Sequence, residues 1–74
     1  MNAETNSAAA EPDNQSRLAH LDLPAHVQVW AYGAWWPGWL IGRDHLPRGW
    51  HGLVQYQHGH SSEITEWLPA GRIR

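Results

Sequence analysis

Six histidines give this chain side chains that can bind a metal or transfer protons near neutral pH. His51, His58 and His60 lie close together, but no acidic residue falls between them and the chain has no cysteine. Their spacing matches no dedicated metal site. Ser61 and Ser62 follow two of these histidines without the strand-to-helix turn that exposes and activates a nucleophilic serine. We therefore expect no bound metal, no cofactor and no catalytic residue.

Aromatic side chains are concentrated in one short stretch of the chain. Residues 30–39 contain four tryptophans and one tyrosine, and Trp50 and Trp67 follow. A Trp or Tyr ring buries about 150–250 Å² when it is covered, and a domain of this size has a thin core. Some of these rings must therefore face solvent or a partner, where ring faces attract cations and apolar groups. This composition indicates recognition of another molecule.

The N-terminal segment differs in composition from the rest of the 74 residues. It is rich in Ala, Asn, Ser and Glu, and its few large apolar residues show no period, which predicts a disordered tail over residues 1–23 and one folded domain over residues 24–74. The chain offers neither a secretory signal nor the ~20 apolar residues of a membrane helix, so we expect a soluble, cytoplasmic protein. The use of Arg without Lys, with much Ala, Gly and Trp, indicates a bacterial or phage origin.

The charge distribution argues against a nucleic-acid partner. The whole chain carries a formal net charge of −2, and the acids are concentrated in the N-terminal segment. From Pro24 onward, the chain contains four arginines, three acidic residues and no lysine. Proteins that bind duplexes neutralise many phosphates with Lys and Arg, so a domain this close to neutrality lacks the required basic surface.

Hydrophobic alternation divides the folded segment into short strands. An apolar–polar alternation from Val27 to Ala31 predicts a strand over residues 26–32 with Trp30 and Tyr32 on its outward face. The remaining elements are predicted as strands over residues 36–42 (bent at its two glycines), 50–57, 63–68 and 72–74, one helical turn over 69–71 and an irregular loop over 43–49. Five short strands are too few for two sheets of ordinary size, but they can close into a small barrel without exposed edges. The expected fold class is all-β.

Several short motifs together resemble a known superfamily of small barrels. They are Val29-Trp30-Ala31-Tyr32 with Gly33, Trp35-Trp36-Pro37-Gly38, Leu53-Val54-Gln55-Tyr56, Glu66-Trp67-Leu68-Pro69 and Arg72-Ile73-Arg74. This succession resembles the Tudor-type domains and the related chromo, PWWP and Agenet barrels. The resemblance covers about residues 27–74 and implies a single SH3-like, Tudor-like five-stranded barrel.

The same resemblance implies a binding site for a methylated side chain. In Tudor domains an aromatic cage holds a methylated lysine or arginine, because a cation that has lost hydrogen-bond donors prefers ring faces to water. The matching positions here are Tyr32, Trp36 and Tyr56. Where the family has a fourth aromatic residue, this chain has a turn that contains His58 and His60, so the resemblance implies a cage that is either incomplete or closed by a histidine.

Each aromatic group also has a structural interpretation. The three cage rings can instead pack on one another over the end of the barrel, and Trp30 and Trp39 can form a satellite cluster beneath the tail. We expect Trp50 and Trp67 to be structural. If the chain binds a peptide or protein, we expect the contact to use Tyr32, Trp36, Trp39 and Tyr56, with Arg72 and Arg74 as rim residues that contact acidic groups.

A second, more distant similarity concerns an enzyme. Residues 36–42 and 46–50, behind a disordered tail, are similar to the plasmid-encoded type II dihydrofolate reductases, which form a tetramer around one pore. The pore signature of that family, Val-Gln-Ile-Tyr beside a basic residue, corresponds here to residues 64–68, where Glu66 replaces the Gln and the chain has no lysine. An acidic residue there would repel an anionic cofactor.

Together these features predict a non-catalytic protein- or peptide-binding module that serves as an adaptor or regulatory protein. The expected partner is a protein or peptide, methylated or associated with transcription, and neither nucleic acid nor a membrane is expected. A homodimeric barrel of structural role remains the alternative, because a symmetric contact hides excess tryptophan.

Overall fold

The computed structural model describes residues 12–74, and residues 1–11 of the predicted tail lie outside this range. The elements are α1 (Pro12–His20), β1 (Ala25–Ala31), β2 (Ala34–Leu46), β3 (Gly49–Tyr56), β4 (Ile64–Pro69) and a short 3-10 helix (Ala70–Arg72). Within the described range, no helix has the length and apolar character needed to cross a lipid bilayer.

The four strands form one antiparallel sheet in the order β1-β2-β3-β4. This confirms the all-β class, but the sheet of strands is not closed. Residues 72–74, predicted as a fifth strand, contribute a single antiparallel bridge between Val29 and Ile73 instead. Two backbone hydrogen bonds flank it: Gln28 N–H donates to the Arg74 oxygen over 2.6 Å, and Arg74 N–H donates to the Gln28 oxygen over 2.8 Å.

The alternation in β1 places the core on one side of the sheet, as the sequence predicts. Val27, Val29 and Ala31 are buried, while Trp30 between them is 40% exposed. Leu40 of β2 and residues of the later elements complete the core on the same side. Its members are Leu18, Val27, Val29, Ala31, Leu40, Val54, Tyr56, Leu68, Ala70 and Ile73.

The predicted irregular loop over residues 43–49 is wrong, because β2 continues to Leu46 and pairs with the start of β3. The register shifts between Leu40 and Gly42, where a β-bulge bends β2. Because the bulge turns the strand around the core, four further residues can pair with β3 before a tight turn at residues 47 and 48. The polar composition of residues 43–49 favours a loop, whereas the structure forms a long hairpin there.

Two glycines allow the strands to approach closely where the sheet bends. A Cβ at Gly38 would lie 2.9 Å from the Gln55 oxygen, and a Cβ at Gly52 would lie 2.5 Å from Leu40 Cδ1 and 2.7 Å from Ile73 Cδ1. Real Cβ atoms do not approach other atoms this closely. At Gly38 the close atom is backbone, so this position requires the absence of a side chain, whereas at Gly52 the ends of the Leu40 and Ile73 side chains would have to shift. The core residues of β2 and the C-terminal segment can therefore meet across β3.

Helix α1 lies in the segment that the sequence predicts to be a tail, and it packs on the domain. Leu18 is 2% exposed within the core. Arg43 of β2 donates hydrogen bonds to the carbonyl oxygens of Leu18 and Leu21 over 3.0 and 2.5 Å. The side-chain Oε1 of Gln15 accepts a hydrogen bond from the Trp50 backbone N–H over 2.8 Å. Because only one large apolar residue of α1 is buried, the helix leaves no helical period in the sequence.

Candidate functional site

Tyr32 occupies a tight turn in an unusual backbone conformation. The pairing of Ala31 with Ala34 leaves a two-residue connection between β1 and β2, in which Tyr32 and Gly33 have φ angles of 52° and 75°. Two positive φ angles are typical of a type I′ turn, whose first position favours Asn, Asp or Gly. Tyrosine is strained there, and its side chain is 66% exposed. Turn geometry therefore does not explain a tyrosine at this position.

Trp36 lies next to this turn with its indole fixed in place. Its Nε1–H donates to the Ala31 backbone oxygen over 2.7 Å, and its half-buried ring packs against the core. The hydrogen bond crosses the hairpin, so the indole orientation is set by the same turn that presents Tyr32. The turn therefore positions both rings without help from other loops.

His58 brings a third ring to the same place. It belongs to the loop between β3 and β4, and its imidazole stacks on Tyr32 with centroids 3.9 Å apart and an interplanar angle of 26°. The edge contact with Trp36 has centroids 5.7 Å apart. Ser61 fixes the loop, because its N–H and hydroxyl donate to the His58 oxygen over 3.2 and 2.7 Å. We call Tyr32, Trp36 and His58 the end site.

Tyr56, the third predicted cage ring, lies in the core and is 2% exposed. Its hydroxyl donates to Glu66 Oε2 over 2.5 Å. Burial raises the pKa of Tyr56 well above its usual range, the hydrogen bond and negative charge of Glu66 and the nearby Tyr32 raise it further, and Arg72 opposes this shift. The hydroxyl therefore stays protonated and holds the Glu66 carboxylate in place. Tyr56 offers no ring face to a ligand.

The other predicted binding residues lie at different places. His60 is exposed at the tip of the loop that carries His58. Arg72 is half-buried and its Nε–H donates to the Trp30 backbone oxygen over 3.0 Å. Its positive charge opposes the raised pKa of Tyr56.

Trp39 lies away from the end site, on the outward face of the sheet. It is 41% exposed, and its ring lies 3.7 Å from that of His26 between centroids. Together with Gln55 and Glu63, these rings line a cleft of about 360 Å³. The sequence predicts the exposed tryptophan but gave no sign of His26 as its neighbour, because that contact depends on the β1–β2 register.

The two tryptophans expected to be structural differ from each other. Trp50 is half-buried, packs against the core and stacks on His45 with centroids 4.6 Å apart and planes 7° apart. Trp67 is 51% exposed on the outward face of β4. Alternation could have indicated this, because Trp67 lies out of phase with the buried Leu68.

The sequence does not single out Glu66 as a partner of an aromatic residue, although its carboxylate accepts the hydrogen bond from Tyr56. Glu66 shares the inward side of β4 with Leu68, and this spacing was the available signal.

The described residues bring ring faces and charged groups together at the surface. Between residues 12 and 74, no three His, Asp or Glu side chains come together in a way that could hold a metal ion. Two exposed or half-buried rings, a stacked imidazole and a nearby carboxylate can bind a flat or cationic group. No family model, curated protein or solved structure matches this chain.

Proposed function

We propose that this chain is a non-catalytic peptide-binding module whose end site takes a methylated lysine or arginine side chain. The observation that carries the proposal is Tyr32, which is two-thirds exposed at a backbone position that disfavours it. Strained residues persist where the surrounding structure holds them, and they are concentrated at binding and active sites. A ring presented at this energetic cost is best explained by a ligand that contacts it.

The proposal includes the fold of a small Tudor-like, SH3-like barrel. Its support is the return of the C-terminal segment to β1, through the Val29–Ile73 bridge and the reciprocal Gln28–Arg74 hydrogen bonds. These contacts extend the pairing beyond the four-stranded sheet on the β1 side. In this arrangement the end site lies at one end of the barrel, bordered by the first hairpin and the loop between β3 and β4.

The place for the ligand is the slot between Tyr32 and Trp36. In the free chain the imidazole of His58 fills it, 3.9 Å from one ring and 5.7 Å from the other. The imidazole of His58 is a nitrogen-containing group of the chain itself, so its position indicates what kind of ligand group the slot accepts. We propose that His58 is a placeholder, and that a methylated ammonium or guanidinium displaces it and lies on the same ring faces.

The carboxylate of Glu66 favours a cation in this slot. Its hydrogen bond from the Tyr56 hydroxyl fixes the carboxylate on the inward side of the sheet, and we propose that its negative charge outweighs that of Arg72 at the slot. Ring–cation contacts contribute roughly 0.5–2 kcal/mol each. Two rings contribute about 1–4 kcal/mol, so they reach millimolar binding, which needs about 4 kcal/mol, only at the upper limit, and micromolar binding needs about 8 kcal/mol. We therefore expect weak binding of the free amino acid and tighter binding of peptides whose flanking residues also contact the loop.

Calorimetric titration of matched peptides tests this function. A trimethyllysine peptide is expected to bind at least about tenfold more tightly than the same peptide with unmodified lysine or with a neutral tert-butyl analogue. The neutral analogue has the same shape, so it isolates the contribution of charge. Equal affinity for the cation and its neutral analogue would contradict a cation site, and no binding of any methylated lysine or arginine peptide would contradict the proposed function.

The placeholder role of His58 predicts an unusual mutational result. His58→Ala removes the competing imidazole, whose stacking contributes about 0.5–1.5 kcal/mol, so the methylated peptide should bind up to about tenfold more tightly. His60→Ala in the same loop is the matched control and should leave the affinity unchanged. Weaker binding by His58→Ala would instead mean that the imidazole is a wall of the site that contacts the ligand.

A further inference from the structure

The outward face of the sheet carries an apolar patch that the end site does not use. It consists of Trp39 and Ile41 on β2, Leu53 on β3 and Trp67 on β4, which we call the outer patch. Trp39, Ile41 and Trp67 are 41%, 39% and 51% exposed. Large apolar residues grouped on one face of a soluble domain mark a contact with another molecule.

The ring of Trp67 crosses the middle of this patch. Trp67 pairs with Leu53, and Leu53 pairs with Gly42 of β2. A Cβ at Gly42 would lie 3.4 Å from Leu53 Cβ and 4.0 Å from Cη2 of Trp67. The indole therefore extends from β4 over β3 toward β2, and Gly42 leaves the room it needs. Trp67 is the centre of the outer patch.

We infer that a second copy of this chain covers the outer patch in a two-fold symmetric dimer. A symmetric contact places a surface against itself, so a charged surface would meet its own charge. The two rows of paired residues that cross the patch contain no Asp, Glu, Lys or Arg. They are His26–Trp39–Gln55–Thr65 and Gly42–Leu53–Trp67. This uncharged composition suits a second copy better than an acidic or basic partner.

We place the symmetry axis so that the nearest acidic residues, Asp44 and Glu63, do not face an acid of the other copy. With the axis along β3, β2 of one copy lies over β4 of the other. Asp44 then faces the Pro69 end of β4, and Glu63 faces Pro37 of β2, so neither acid meets an acid. The two Trp67 rings meet at the axis, because each extends over β3.

The exposed area is adequate for the centre of such a contact. Two half-exposed tryptophans contribute on the order of 200 Å². A stable interface covers about 800 Å² on each partner, with an apolar centre and a polar rim. His26, Gln55 and Thr65 surround the tryptophans and can form that rim. Tyr32 and His58 lie at one end of the sheet and stay accessible.

Sedimentation of the full chain tests the dimer. Across low micromolar to millimolar concentrations, we expect the mass to rise from 8.4 kDa to twice that value. Trp67→Glu and Trp67→Lys place like charges at the axis, so each variant alone should weaken dimerisation more than about tenfold. An equimolar mixture of the two should dimerise again, because opposite charges then meet.

Trp30→Glu is the matched control, since Trp30 is 40% exposed on the same face outside the outer patch. This variant should keep the dimer mass. Circular dichroism of each variant reports folding, and the mass of the unchanged chain decides the question if a variant unfolds. A monomer at millimolar concentration would overturn the inference, and so would undiminished dimerisation of Trp67→Glu or a mixture that stays monomeric.

Discussion

Tyr32→Asn is expected to remove methylated-peptide binding and at the same time to stabilise the domain. Asparagine followed by Gly33 is a preferred sequence for a type I′ turn, and asparagine adopts positive φ with less strain than tyrosine. Relief of about 1–3 kcal/mol of backbone strain outweighs the loss of about 0.5–1.5 kcal/mol of stacking on His58, so we expect the free energy of unfolding to rise by about 0.5–1 kcal/mol. The loss of one of the two ring faces should weaken peptide binding by about tenfold or more.

The free energy of unfolding should rise while peptide affinity falls, and this combination distinguishes a binding role of Tyr32 from a structural one. A tyrosine kept for packing would make the variant less stable, whereas a tyrosine kept for a ligand makes it more stable and inactive. Thermal unfolding and calorimetric titration of the same sample measure both quantities. Trp30→Asn, a strand residue outside the end site, is the control and should keep peptide affinity. Reduced stability together with unchanged affinity in Tyr32→Asn would refute the role given to Tyr32.

Leu18→Ala is expected to reduce the free energy of unfolding by about 2–5 kcal/mol, as for other buried leucines. Leu18 is 2% exposed, and its Cδ1 lies 3.5 Å from the position that a Gly52 Cβ would take. Its removal leaves a cavity above β3 and weakens the docking of α1. Chemical denaturation measures the change. For a domain this small, such a loss is a large fraction of the total stability.

Arg17→Ala in the same helix is the matched control, because Arg17 is exposed and precedes Leu18 directly. Its effect should stay within about 0.5 kcal/mol. If Leu18→Ala were as small in effect as Arg17→Ala, α1 would contribute nothing to the fold, and the domain would begin at β1.

Elements with a strong local pattern could be predicted from the sequence, and elements held by distant contacts could not. The alternation of β1 gave its extent and its buried face, because period two follows directly from strand geometry. Helix α1 is held by one leucine and by hydrogen bonds to residues that lie 25 and 35 positions further along the chain. No local sequence pattern therefore predicts it. The extension of β2 depends on a bulge that local composition does not report.

The end site was predicted in part. Tyr32 and Trp36 lie together because the two-residue turn of Tyr32 and Gly33 leads into β2, whereas the sequence predicts Tyr32 as the last residue of β1. The inward direction of Tyr56 follows from its pairing with Gly38, where the missing side chain lets the ring enter the core. His58 reaches Tyr32 only through the fold of its loop, so a choice between His58 and His60 could not be made from spacing.

The most direct test of the end site uses the indole N–H signals of the six tryptophans. In a two-dimensional NMR titration with a trimethyllysine peptide, the Trp36 signal should shift progressively, because its ring borders the slot that the ligand enters. The signals of Trp39 and Trp67, on the outward face, should stay in place. Movement of Trp39 with Trp36 unchanged would contradict the account and place the binding site on the outer face of the sheet.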